Sequence, residues 1–81
     1  MQAQVRIDIL KVCEAGPHSS AEITEALGHK QLSGNIHKAL PYLRNKGYLE
    51  YTMPEKPNSR LQKYRLTLNG QELLKIEQKS K

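Results

Sequence analysis

Val5, Ile9, Val12 and Cys13 recur at helical spacing and Gly16-Pro17 ends the pattern, which predicts a first helix over residues 3–14. Ser19 then opens Ser-Ser-Ala-Glu22, a capping box in which the hydroxyl accepts a backbone N–H and Glu22 reaches back to the cap. A second helix is expected over 20–27, showing Ile23, Ala26 and Leu27 to the core and stopping at Gly28, a residue able to take the left-handed conformation. Ser33 follows closely as an N-cap for a third helix over 33–46. That helix carries Ile36, Leu40 and Leu43 on one stripe and ends in Arg44, Lys46 and Gly47. Pro41 is its misfit, because inside a helix it removes the bond to the His37 carbonyl and costs about 3 kcal/mol. It reads as a kink or as the first turn of a helix that starts late; Ser33 and the stripe favour the kink.

After Gly47 the period changes. Leu49, Tyr51 and Met53 alternate with Tyr48, Glu50 and Thr52, and Gln62, Tyr64 and Leu66 with Leu61, Lys63 and Arg65. Two antiparallel strands joined by PEKPNSR, together spanning 48–67, fit this best. Residues 68–79 return to helical spacing through Leu73, Leu74 and Ile76. The expectation is one domain over 1–81, α+β and mainly α: three helices, a two- to three-stranded antiparallel hairpin and a C-terminal helix. Two short helices joined by a tight turn make a helix-turn-helix. Followed directly by a hairpin, they give the order of a winged helix, whose third helix enters the major groove while the hairpin tip, the wing, projects beside it. Pro54 and Pro57 cannot join a central ladder and limit the tip's freedom, so its cations would reach a polyanion at lower ordering cost. A plain solvent-exposed turn is the other reading of the same residues.

Charge sharpens this picture. The chain carries a formal net charge of +5 with a pI near 9.5. Residues 30–65 hold eight Lys or Arg against two Glu, whereas residues 1–29 hold two against four acids. The positive field therefore comes from the segment containing the third helix and the hairpin, as one polyanion-binding face would require. The longest apolar run is ALPYL, far short of a membrane span, and the N-terminus lacks the regions of a signal peptide, so a cytoplasmic protein without a membrane partner is expected. Cys13 stands alone and reads as a core thiol. His18, His29 and His37 match no metal-ligand spacing, and neither a cofactor nor a small-molecule ligand is expected.

Residues 33–70, SGNIHKALPYLRNKGYLEYTMPEKPNSRLQKYRLTLNG, resemble the C-terminal winged-helix segment of Fic-type proteins and of RecG-like, helicase-related transcriptional regulators; PNSRLQKYRLT is the most specific part. The resemblance implies a DNA-binding or regulatory module. In the larger relatives a catalytic or ATP-binding region precedes this domain, but neither the Fic-type motif HPFxxGNG nor a Walker motif occurs here.

With the stripe facing the core, Lys38, Pro41, Tyr42 and Asn45 of the third helix face outward, flanked by Asn35 and Lys46 on one side and His37 and Arg44 on the other. Asn35 can pair with adenine and Lys38 can reach guanine. Lys30, Gln31 and Ser33 in and beside the turn, His37 and Tyr42 on the helix, and Lys56, Asn58, Arg60 and Lys63 of the hairpin complete the candidate DNA-binding set. The leading function is duplex DNA binding by a transcriptional regulator or its DNA-binding part. The rival is a protein-interaction module of a larger Fic-type or RecG-like protein, since winged helices also serve as docking domains. No catalytic constellation is present, so an enzyme is not expected. A homodimer through the C-terminal helix is expected from Leu73, Leu74 and Ile76, which could equally cap the monomer core.

Overall fold

A computed structural model describes residues 2–79; residues 1, 80 and 81, which the single-domain expectation also covers, lie outside the described residues. The order is α1 (Gln2–Glu14), α2 (Ser20–Leu27), α3 (Ser33–Asn45), β1 (Leu49–Tyr51), β2 (Tyr64–Leu66) and α4 (Leu68–Lys79). This is a winged helix, α+β and mainly α. Helix α1 is the central element, touching α2, α3, α4 and β2. Val5, Ile9, Leu10 and Cys13 of α1, Ile23 and Leu27 of α2, Ile36, Ala39, Leu40 and Leu43 of α3, Leu49, Leu66 and Leu74 form one buried cluster. Ala26 is exposed rather than in the core, because α2 presents only a narrow edge, Ile23 and Leu27, to α1 and α3.

Local chemistry explains the helix ends. The capping box of α2 is complete: Glu22 N–H donates to Ser19 Oγ at 3.1 Å, and Ser19 N–H to Glu22 Oε1 at 2.8 Å. Gly28 is right-handed (φ −62°), not left-handed, and is needed for space: a Cβ there would sit 2.9 Å from the Thr24 carbonyl oxygen. Leu32, not Ser33, is the N-cap of α3, and no side chain caps it. Pro41 lies inside α3, so the helix does not start late. It stops at a Schellman motif: Tyr48 N–H bonds the Leu43 carbonyl, Gly47 N–H bonds that of Arg44, and Gly47 takes φ 82°.

Strands β1 and β2 pair antiparallel with Leu49 opposite Leu66, Glu50 opposite Arg65 and Tyr51 opposite Tyr64. His18 adds a bridge on the far side of Tyr64, with N–H to carbonyl distances of 3.1 and 2.7 Å, so the segment leading into α2 is a rudimentary third strand. Both main strands are shorter than the alternation predicts. The alternating residues Met53 and Gln62 belong instead to a folded loop, in which Lys56, Ser59 and Gln62 N–H groups bond the carbonyls of Met53, Lys56 and Ser59 in succession. Thr67 joins the wing to α4, receiving Gly70 N–H on its hydroxyl and donating that hydroxyl to the Gly47 carbonyl. At Gly70 a Cβ would overlap the Tyr48 carbonyl oxygen, so α4 can lie this close only through glycine.

Candidate nucleic-acid interface

The buried stripe of α3 fixes what faces outward. Opposite Ile36, Ala39, Leu40 and Leu43, the exposed line is Gly34, Lys38, Pro41 and Asn45, with exposed His37 beside it. Two cation–π contacts orient the flanks. Arg44 lies over the Tyr51 ring of β1, 4.8 Å from its centroid, so the His37 flank is the one beside the wing. Arg6 of α1 lies over the Tyr42 ring at 3.8 Å, so the Asn35 flank turns toward α1.

These contacts divide the sequence-predicted residues. Ser33, His37 and Lys38 are exposed on α3, and Lys56, Asn58 and Arg60 are exposed on the wing loop. Asn35 is half-buried. Tyr42 does not project outward: it is half-buried beneath Arg6 and shares a groove with Ile7, Tyr48 and Leu73, because α1 and α4 close over that side of α3. Gln31, half-buried, and Lys30, which remains exposed, both approach Asp8. Gln31 Nε2 donates to Asp8 Oδ2 at 2.9 Å, and Lys30 Nζ stands 3.9 Å from the same oxygen. Lys63 is half-buried and points to Glu22 Oε1, 3.8 Å away. Arg65 pairs with Glu50 directly across the sheet, Nη2 to Oε2 at 2.7 Å. The cations of the middle segment are thus of two kinds, those that tie elements together and those that face solvent.

Sequence reasoning misses Asp8 and Gln62, the two buried polar residues among those described. Asp8 sits at the edge of the apolar stripe of α1, and an acid there needs partners, which is the signal that could have found it. It also accepts Gln4 Nε2 at 2.9 Å. Burial opposes ionisation of Asp8, but hydrogen bonds from Gln31 and Gln4 and the charges of Lys30 and Lys11 outweigh it, holding the carboxyl below the ordinary 3.8. Gln62, 8% exposed, has no signal in the sequence beyond an amide in an alternating run.

The wing is anchored at its base. Tyr51 and Tyr64 pack as a tilted pair, 5.4 Å between centroids, and burial, then the neighbouring Tyr51, raise the Tyr64 phenol above its ordinary value. Tyr64 is therefore a neutral packing group at physiological pH. Asn58 and Arg60 border a cleft with Ser19, Ser20 and Tyr64, so the loop tip lies near the start of α2. Burial pushes the Cys13 thiol up to about 11, which makes it inert. No three His, Cys, Asp or Glu side chains group as a metal site would need among the described residues, and no helix there is long and apolar enough to cross a membrane.

Residues 3–67, from α1 through the wing, match the model of the Filamentation induced by cAMP protein Fic-like, C-terminal domain. The chain belongs to this family. Among solved structures, this Fic-like C-terminal domain is similar to a PadR family transcription regulator from hypervirulent Clostridium difficile R20291. The TM-score is 0.74 at 20% identity, covering 94% of this chain and 84% of that one, a likeness of winged-helix fold. No curated protein matches the chain. The family match extends through Thr67, which caps α4, and leaves α4 itself outside it.

Proposed function

We propose that this winged helix binds duplex DNA as a transcriptional regulator or the DNA-binding part of one. Helix α3 enters the major groove and the basic loop of the wing lies on phosphates or in the minor groove. The observation that carries the reading is the sorting of the cations. Lys30, Arg44, Lys63 and Arg65 each face a carboxylate or ring of the fold, whereas Lys38 on α3 and Lys56 and Arg60 on the wing are exposed with no such partner among the described residues and are open to phosphates and bases. The similar solved structure is named a transcription regulator, which accords with this reading. Ser33, Asn35, His37 and Lys38 are the α3 contacts, Lys56, Asn58 and Arg60 those of the wing. Lys30, Gln31, Tyr42 and Lys63 contribute chiefly by holding these elements in place.

Binding isotherms on a selected site and on random duplex at several salt concentrations test the assignment. The pair Arg60→Ala and Lys56→Ala is expected to weaken both DNAs and to lower the slope of log K against log salt by about 0.9 for each phosphate that is no longer neutralised. Lys38→Ala is expected to narrow the gap between the two DNAs by about 1–3 kcal/mol. A parent chain that binds no duplex at low salt, or wing variants with an unchanged slope, would overturn the reading.

The DNA-bound form proposed is a homodimer through α4, which would present two copies of α3 to paired half-sites. Leu74 is spent in the monomer core and Leu73 is half-buried, but Ile76 and Leu68 remain 63% and 77% exposed. Sedimentation at high protein concentration is expected to give the mass of two chains, and Ile76→Lys to return it to one. A single-chain mass for the parent removes the dimer and leaves the DNA surface standing.

A further inference from the structure

We infer that Gln62 is the positioning residue of the wing, a side chain that touches no ligand itself but holds Lys56 and Arg60 where they meet DNA. The role rests on the DNA-binding reading above. The strand ladder ends where Thr52 N–H bonds the Lys63 carbonyl at 2.9 Å. By the alternation of the ladder the next hydrogen-bonded pair would be residues 54 and 61, and Pro54 has no N–H to offer, so the backbone pairing stops there. Beyond that point the side-chain amide of Gln62 holds the chain. Its Oε1 accepts Met53 N–H at 2.9 Å and its Nε2 donates to the Met53 carbonyl, so both backbone polar groups of Met53, which a regular ladder would turn away from β2, are bound by one amide. The same Nε2 donates to the Lys56 carbonyl at 2.9 Å, binding directly the residue that carries one wing cation.

The backbone closes the arrangement. Three successive turn bonds run from Met53 through Lys56 and Ser59 to Gln62 itself, and Ser59 Oγ receives Leu61 N–H at 3.1 Å. The buried amide thus binds both ends of the first turn, Met53 and Lys56, and the last turn closes on the Gln62 backbone with Arg60 between Ser59 and Gln62. The base of the loop is joined in turn to the helix-turn-helix by the His18–Tyr64 bridge and by Arg44 over Tyr51. Only an amide serves here, because the site needs one acceptor and two donor bonds in a space from which water is nearly excluded. A carboxylate of the same length supplies the acceptor and no donor, and an apolar side chain supplies neither. A loop fixed before binding loses less freedom when its cations meet phosphates.

The test combines amide exchange on the unbound chain with DNA isotherms for Gln62→Leu and Gln62→Glu. Gln62→Leu is expected to speed exchange at Met53, Lys56 and Ser59 by about tenfold, the effect of one net hydrogen bond, and Gln62→Glu, which keeps the acceptor for Met53 N–H but loses both donor bonds, to speed it at Lys56 and Ser59, while amides of α1 and α3 keep parental protection. Both variants are also expected to weaken selected and random duplex together and to flatten the salt dependence. Adding Arg60→Ala to Gln62→Leu is then expected to cost less than Arg60→Ala alone, which a general loss of stability would not produce. Unchanged exchange at Met53 in Gln62→Leu, or faster exchange with an unaltered salt slope and additive Arg60→Ala, overturns the role of Gln62. A parent that binds no duplex overturns the DNA reading and this role with it, and exchange that still quickens in the variants marks the failure as belonging to the DNA reading.

Discussion

Leu43→Ala is expected to lower the unfolding free energy by about 2–5 kcal/mol, the cost of removing a packed leucine and leaving a partly collapsed cavity. Leu43 has no exposed surface and sits in the core cluster where α3 meets α1 and β1. Its carbonyl also receives Tyr48 N–H at 2.9 Å, so the residue is at once a core side chain and the acceptor that ends α3. A shift of the helix into the cavity would drag the Schellman turn and β1 with it, which limits relaxation and keeps the cost high. Each kcal/mol is worth about 4–8 °C of melting temperature in a chain of this length. The natural controls are Leu32→Ala and Leu61→Ala, whose side chains are 74% and 73% exposed and whose loss should stay within about 0.5 kcal/mol. Thermal or urea melts of the three variants decide it. If Leu43→Ala melts with the controls, the stripe of α3 is not the core of this fold.

That stripe is legible from spacing alone, and so are the elements it organises. Ile36, Leu40 and Leu43 are buried as their period requires. The Ser19–Glu22 box and the turn at Gly47 rest on bonds between residues at most five apart, and local pattern is where sequence is most informative. The change of period after Gly47 locates the wing for the same reason.

The site is harder to read because its partition depends on pairs far apart in the chain. Gln31 and Asp8 are 23 residues apart, and Lys63 meets Glu22 across half the length of the chain. On a helical wheel Tyr42 points outward like Lys38, and only the course of α1 over that flank covers it with Arg6. Gln62 alternates like a strand residue, yet its side chain turns back to bind the backbone of Met53 and Lys56. A cation count can place a positive segment, but it cannot separate cations that face solvent from those already engaged. Tertiary contacts make that separation: Lys30 and Lys63 keep solvent contact, but each already faces a carboxylate of the fold.

Asp8 carries the other large expected effect, since it links α1 to the turn that presents α3. Hydrogen bonds to a charged group contribute about 1.5–3 kcal/mol each, and Asp8 accepts two, from Gln4 and Gln31, with only 4% of its surface exposed. Lys30 is half-exposed at 3.9 Å and adds at most about 1 kcal/mol. Asp8→Ala is therefore expected to cost about 3 kcal/mol or more. Asp8→Asn keeps the shape while removing the charge, and it exposes the pH dependence. The folded-state carboxyl titrates below 3.8, so its contribution is fully present above the unfolded-state value and disappears as pH falls through the folded one. Glu22 is also depressed, chiefly by the Ser19 N–H, and acts in the same direction in parent and variant alike. The difference between them consequently isolates Asp8. Denaturant melts from about pH 7 to about pH 2 are expected to show the parent well above Asp8→Asn at neutral pH, with the gap closing as the medium passes below about pH 4. A gap that stays constant across that range would mean that the charge on Asp8 does not hold the turn, and that Gln31 and Lys30 are available to DNA after all.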